Sequence, residues 1–199
     1  MGQEKRTMSY GLWPSPLSPR QLAEGLRLSE VAWDSDGQTL VWLEGRSDRG
    51  VLVCLPPGSA APRDVTSELV VQARVGYGGG DFCVAGGLVS FAEASGRLYR
   101  QSLVAGNATP LTPAFGYAAA PTVSPDQQWV VFVHTDAEQD CLALVDAVGK
   151  YWPQRLVTGA DFYMQPVWHP QGSLLAWVEW SHPQMPWEGS RLCLGSLSY

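Results

Sequence analysis

Three segments of the chain carry one pattern of polar and apolar positions: "AWDSDGQTLVWL" (32–43), "TVSPDQQWVVFV" (122–133) and "VWHPQGSLLAWV" (167–178). Each is a tight polar turn followed by an alternating run rich in β-branched and aromatic residues, the signature of a strand. A fainter copy, "CVAGGLVSFA" (83–92), keeps the turn and the final aromatic. The register repeats in four landmarks. The strand aromatics Trp42, Phe91, Phe132 and Trp177 are spaced 49, 41 and 45 residues apart, each five positions after a turn residue (Gly37, Gly86, Gln127, Gly172). Leu52, Leu98, Leu142 and Leu192 mark a second strand at spacings of 46, 44 and 50, and Thr66, Thr112 and Thr158 recur at 46 and 46.

A period near ~45, several short strands per unit and almost no helical periodicity predict blades of a β-propeller. The chain is therefore expected to be all-β, a partial ring of about four blades. The repeats lie near 28–67, 75–113, 117–159 and 161–199, preceded by an N-terminal segment, 1–27. Each unit reads as turn, inner strand, second strand and outer strand. One blade cannot bury both faces alone, so blades stack, and Trp42, Phe91, Phe132 and Trp177 are expected as wedges between neighbours. One short helix is predicted in "LSPRQLAEG", with Ser18 as N-cap, Pro19 at its first position and Gly25 at its end. The fourth unit has no closing "LVT" strand before Tyr199. Its edge and face are expected to be completed by further blades or by a partner.

Composition narrows the function classes. Of 199 residues, 45% are hydrophobic and 16% charged, enough apolar surface for a sizeable core and too little charge for disorder. Net charge is −6 and no basic stripe occurs, which excludes nucleic acid as a partner. Cys54, Cys83, Cys141 and Cys193 each sit in an apolar strand-like run and read as buried free thiols. No apolar leader and no run of membrane-spanning length is present, so the expectation is a cytoplasmic chain without a membrane partner. Asp34, Asp36 and Asp126 occupy repeat turns, where Asp bonds the local backbone. His134, His169 and His182 lack metal-ligand spacing, and neither metal nor cofactor is implied.

Several stretches together resemble the N-terminal propeller of prolyl oligopeptidase (S9) family serine peptidases, in the dipeptidyl aminopeptidase and acylaminoacyl peptidase branch. They are "YGLWPSPLSPRQLAEG" (10–25), "VWLEGR" (41–46), "RVGYGGGDF" (74–82), "GRLYRQSL" (96–103), "PLTP" (110–113) and "GADFYMQPVWHPQGSLLAWVEWSHPQMPWEG" (159–189), in the family's order. The resemblance implies a propeller that caps an α/β-hydrolase domain and filters peptide substrates by size. That hydrolase carries a Ser-Asp-His triad, and no G-x-S-x-G nucleophile elbow occurs here: "GRSDRG" is one residue too long and "LGSLSY" lacks the second glycine. No catalytic residue is assigned on this chain. The implied partners are the hydrolase domain, on the same or a separate chain, and a peptide substrate. The rival reading is a stand-alone interaction module that closes by forming a homodimer.

Two motifs carry the candidate site. In "SHPQMPWEG", the prolines fix a loop between two strands of one blade, and His182, Met185 and Trp187 either pack within the propeller or against the hydrolase, or line the substrate passage. In "YGGG", Tyr77, Gly78, Gly79 and Gly80 read either as a tight inter-blade turn or as a contact with substrate or hydrolase. The family pattern sets a His-Glu pair before the tyrosine. Gly76 stands there instead, which puts capture of a peptide amino group at this place in doubt.

Overall fold

Each polar turn closes a β-hairpin, and the hairpins join into four antiparallel sheets. The computed structural model describes residues 7–11, 13–47, 49–77, 79–137 and 139–197. Blade 1 comprises β1 (Arg27–Trp33), β2 (Leu40–Arg46), β3 (Arg49–Leu55) and β4 (Arg63–Asp64). Blade 2 comprises β5 (Phe82–Ala85), β6 (Leu88–Ala92), β7 (Leu98–Ser102) and β8 (Thr109–Pro110). Blade 3 comprises β9 (Tyr117–Val123), β10 (Trp129–Asp136), β11 (Gln139–Asp146) and β12 (Gln154–Val157). Blade 4 has three strands among the described residues, β13 (Phe162–Trp168), β14 (Leu174–Trp180) and β15 (Arg191–Ser196). Helix α1 (Pro19–Ala23) precedes the blades, and a one-turn α2 (Pro186–Gly189) lies between β14 and β15.

The innermost strand of each blade is the one before the turn, not the one after it. β5 contacts β9, β9 contacts β13 and β1 contacts β5, so these four line the axis. The aromatic run that follows each turn is thus the second strand. Asp36 accepts the Gln38 and Thr39 N–H groups at 2.7 and 2.8 Å, and Asp126 accepts that of Gln128 at 3.0 Å. Asp34 reaches further. Its carboxylate accepts the Gly87 N–H of blade 2 at 2.8 Å and so joins two adjacent turns.

Three apolar clusters fill the spaces between blades. Phe91 lies in the first, with Val41 and Leu52 of blade 1; Phe132 in the second, with Ala92 and Leu98 of blade 2; Trp177 in the third, with Val131 and Leu142 of blade 3. Each aromatic therefore faces the blade before its own, and each repeat leucine faces the blade after it. Trp42 keeps this phase but no described blade precedes it, and it stays half-buried on the open face of blade 1. Its indole N–H donates to Glu44 at 2.8 Å, and Arg46 bridges Glu44 and Asp64. Trp177 repeats the device, donating to Glu179, which Arg191 also holds.

The repeat threonines have a structural cause. Thr66 Oγ1 accepts the Leu52 N–H at 3.0 Å and Thr112 Oγ1 that of Leu98 at 2.9 Å, both buried. Thr158 is exposed, because the longer β12 pairs Val157 directly with Leu142. In α1, Ser18 caps the helix by accepting the Gln21 N–H at 3.2 Å, and Glu24 ends it one residue before Gly25. All four cysteines are unpaired; Cys54 and Cys141 are buried, Cys83 and Cys193 half-buried. No helix among the described residues is long and apolar enough to cross a membrane.

Candidate functional site

Residues 65–81 join blade 1 to blade 2, a far longer connection than 111–116 or 158–161, which join the later blades. They do not form a tight turn. From Val71 onward the segment alternates: Gln72, Arg74 and Gly76 are exposed while Val71, Ala73, Val75 and Tyr77 step across the blades. Val71 packs in the first cluster, Ala73 against the second and third, and Val75 in the third. Tyr77 then meets blade 4. Backbone bonds fix the near end: Val71 N–H donates to Gly50 O and Gln72 N–H to Ala92 O, both at 3.0 Å. The segment is a strap across the blade ends.

At its far end the strap meets the second motif. The Tyr77 ring lies edge-on to Phe162 at 5.4 Å and to Trp180 at 5.6 Å. Phe162 stacks on Trp180 at 5.2 Å, and His182 stands edge-on to Phe162 at 5.0 Å. Two motifs about a hundred residues apart in sequence thus close into one aromatic cluster. The His182 N–H donates to Asp161 at 2.9 Å, which ties the loop to the start of blade 4. Met185 is half-buried within its own turn, where Glu188 accepts its N–H at 3.1 Å. Trp187 stands apart, 73% exposed. Gly78 lies outside the described residues.

The chain then returns along the axis. Gly79 has φ +78°, and the corresponding residues of the other innermost strands, Glu30, Ala120 and Gln165, have φ of +38°, +46° and +52°. All four stand twelve positions before the strand aromatic. A left-handed residue therefore recurs at one register in every blade, and in β1, β9 and β13 it coincides with a bulge in the pairing. Gly80 O accepts the Ala120 N–H at 2.7 Å, and both Glu30 oxygens accept the Asp81 N–H at 2.9 Å. A groove of about 630 Å³ runs past Glu30, Gly80, Ala120 and Gln165.

Two carboxyls stand at this junction. Glu30 is exposed as a residue, but packing around its carboxyl partly removes it from water and raises it above its ordinary range, against the lowering effect of the Asp81 N–H, and the Asp81 charge adds to the rise. Burial likewise raises Asp81, whose carboxylate accepts the Ala73 N–H at 2.6 Å and feels Arg27. Both groups hold protons more tightly folded than unfolded. They therefore lower stability as pH rises from the ordinary carboxylate range through the raised values. The stability of Glu30→Gln relative to the parent should accordingly be smallest in acid and increase through that window. Urea midpoints of both proteins from pH ~3 to pH ~8 check this, and a difference that stays flat would contradict it.

No protein-family model and no curated protein matches the chain. Solved structures do. A Mycobacterium tuberculosis puromycin-hydrolyzing peptidase is 28% identical, with a TM-score of 0.79 over 98% of this chain. A puromycin hydrolase is 26% identical, with a TM-score of 0.80 over 96%. The likeness is to the propeller region of S9 peptidases. The chain spans 34% of the length of each of these two. TolB from Acinetobacter baumannii, 13% identical with a TM-score of 0.65 over 85% of this chain and 41% of its own, shares the fold alone.

Sequence reasoning named Tyr77 and His182 but not the cluster that joins them. It passed over Glu30 and Asp81, which no local pattern marks. The strap was more legible: "VQARVGY" (71–77) alternates as an extended segment with one buried side must.

Proposed function

We propose that this S9-like propeller is the non-catalytic wall of a substrate passage over an α/β-hydrolase domain, on the same or a separate chain. One observation carries the reading: the likeness to peptidase structures covers nearly the whole of this chain but only 34% of theirs. In this role the strap and the Phe162–Trp180 pair brace the blades beside the axial groove, and the exposed Trp187 is available to an incoming peptide or to the hydrolase. Aminoacyl amides such as puromycin and short peptides are the first substrates to assay.

The test uses the native protein purified from its source cells. Its mass, and its kcat/KM on a ladder of peptides of increasing length, are measured with and without Trp187→Ala. A hydrolase domain that copurifies, together with a length preference that shifts in the variant, supports the passage wall. A protein that carries no hydrolase domain and cleaves none of these substrates overturns it.

A second reading rests on the apolar residues left uncovered at both ends of the arc. Leu28, Val31 and Trp33 of blade 1, and Leu192 and Leu194 of blade 4, are all more than half exposed. Two copies pairing through these faces would bury them. Light scattering that gives twice the 21.6 kDa chain mass favours this reading.

A further inference from the structure

Over the three inner strands, the cross-strand row that faces the following blade is uncharged in three blades; in blade 1 an exposed Arg63 follows it on the outermost strand. The row reads Ala32–Val41–Cys54 in blade 1, Thr122–Val131–Leu144 in blade 3 and Val167–Ala176–Leu194 in blade 4. In blade 2 the same row is Cys83–Ser90–Arg100. These side chains share a face with Ala92 and Leu98, in the cluster between blades 2 and 3. Arg100 Nη1 donates across that interface to Ala147 O at 2.9 Å.

The rest of the row is unsatisfied. Arg100 Nε and Nη2 and Ser90 Oγ are closed off from solvent and make no hydrogen bond of ordinary geometry among the described residues, Ser90 Oγ having only the Cys83 thiol beside it. No carboxylate of the described residues forms an ion pair with Arg100. Nor does Cys83 supply the charge: burial pushes its thiol up to about 12, so it stays protonated at neutral pH. Arg100 is half-buried, with Nε and Nη2 enclosed; a guanidinium cannot shed its proton, and a charge held there without a partner is costly. The row thus gathers N–H, O–H and S–H donors around one positive charge without an acid to balance it.

We propose that the interface between blades 2 and 3 holds a small monovalent anion, of the halide class, bound by Arg100 Nε and Nη2 and by the Ser90 hydroxyl. A water molecule would satisfy the hydrogen bonds and leave the charge unbalanced. A halide does both, beside the bond that Arg100 Nη1 makes to Ala147 O of the third blade. The proposal does not depend on the peptidase reading.

Two measurements on the native protein test it. Crystals soaked in bromide should show an anomalous peak in contact with Arg100 and Ser90. At constant ionic strength, replacing gluconate with chloride at ten times its Kd should raise the melting midpoint by about 3 to 6 °C. Arg100→Leu, which restores the residue of blades 3 and 4 at this position, should remove that response. If this variant fails to fold, Ser90→Ala serves, and a weakened chloride response is expected. An ordered water in place of bromide, a midpoint indifferent to chloride, or a response retained in Arg100→Leu each overturns the proposal.

Discussion

Replacing Trp180 with alanine should destabilise the chain by about 3 to 5 kcal/mol, the range for removing a large aromatic from a packed site. Trp180 is 2% exposed and stacks on Phe162, with Tyr77 edge-on to both. Such ring pairs add about 0.5 to 1.5 kcal/mol each beyond their burial. The loss should also be felt at a distance, since Tyr77 is the strap's hold on blade 4. Arg74 lies exposed in the strap, so trypsin should cleave after it faster in Trp180→Ala than in the parent. Tyr77→Ala should speed that cleavage with a smaller stability loss, because Tyr77 is 40% exposed. Trp180→Phe should cost far less than alanine, since the indole N–H it gives up has no partner among the described residues. Unfolding midpoints and cleavage rates on the same four proteins decide the matter. If Trp180→Ala loses stability while Arg74 stays protected, Val71 and Val75 hold the strap without the cluster.

Leucines at one repeat position should respond in opposite ways. Leu142 and Leu192 both face the following blade, but Leu142 is fully buried against blade 4 while Leu192 is 81% exposed. Leu142→Ala should cost about 2 to 5 kcal/mol and Leu192→Ala no more than about 0.5 kcal/mol in the 199-residue chain. Denaturant midpoints with unchanged slopes would establish both. The comparison also reads out what covers blade 4. Equal losses at the two positions would mean that its face is occupied in solution, and light scattering on the same sample would tell whether a second copy does so.

These contrasts bear on what a repeat can and cannot announce. The blades were legible because period-2 alternation and turn chemistry are local. Asp36 and Asp126 bond their own turns wherever the chain goes, and the same alternation marked the residues with a buried side. Thr66 and Thr112 were legible as landmarks although their partners, Leu52 and Leu98, lie fourteen residues away, because the blade repeats that geometry. The assignment of strands within a blade was not legible. A run that follows a turn reads the same as first or second strand, and only contacts across the axis tell them apart.

The candidate site divides in the same way. The sequence alone determined that the chain is a four-unit β repeat and which way its alternating residues face, and it singled out "YGGG" and "SHPQMPWEG". It could not determine that these two stretches touch. That depends on the strap crossing three blades, and the closure of Tyr77 on Phe162 and Trp180 is a property of blade stacking. The desolvation that raises Glu30 and Asp81, and the enclosure of Arg100 Nε and Nη2 without an acid, are likewise set by neighbouring blades. Local pattern fixes which way a side chain faces within its own sheet; only the stacking of sheets decides what it meets there, because those contacts join residues tens of positions apart.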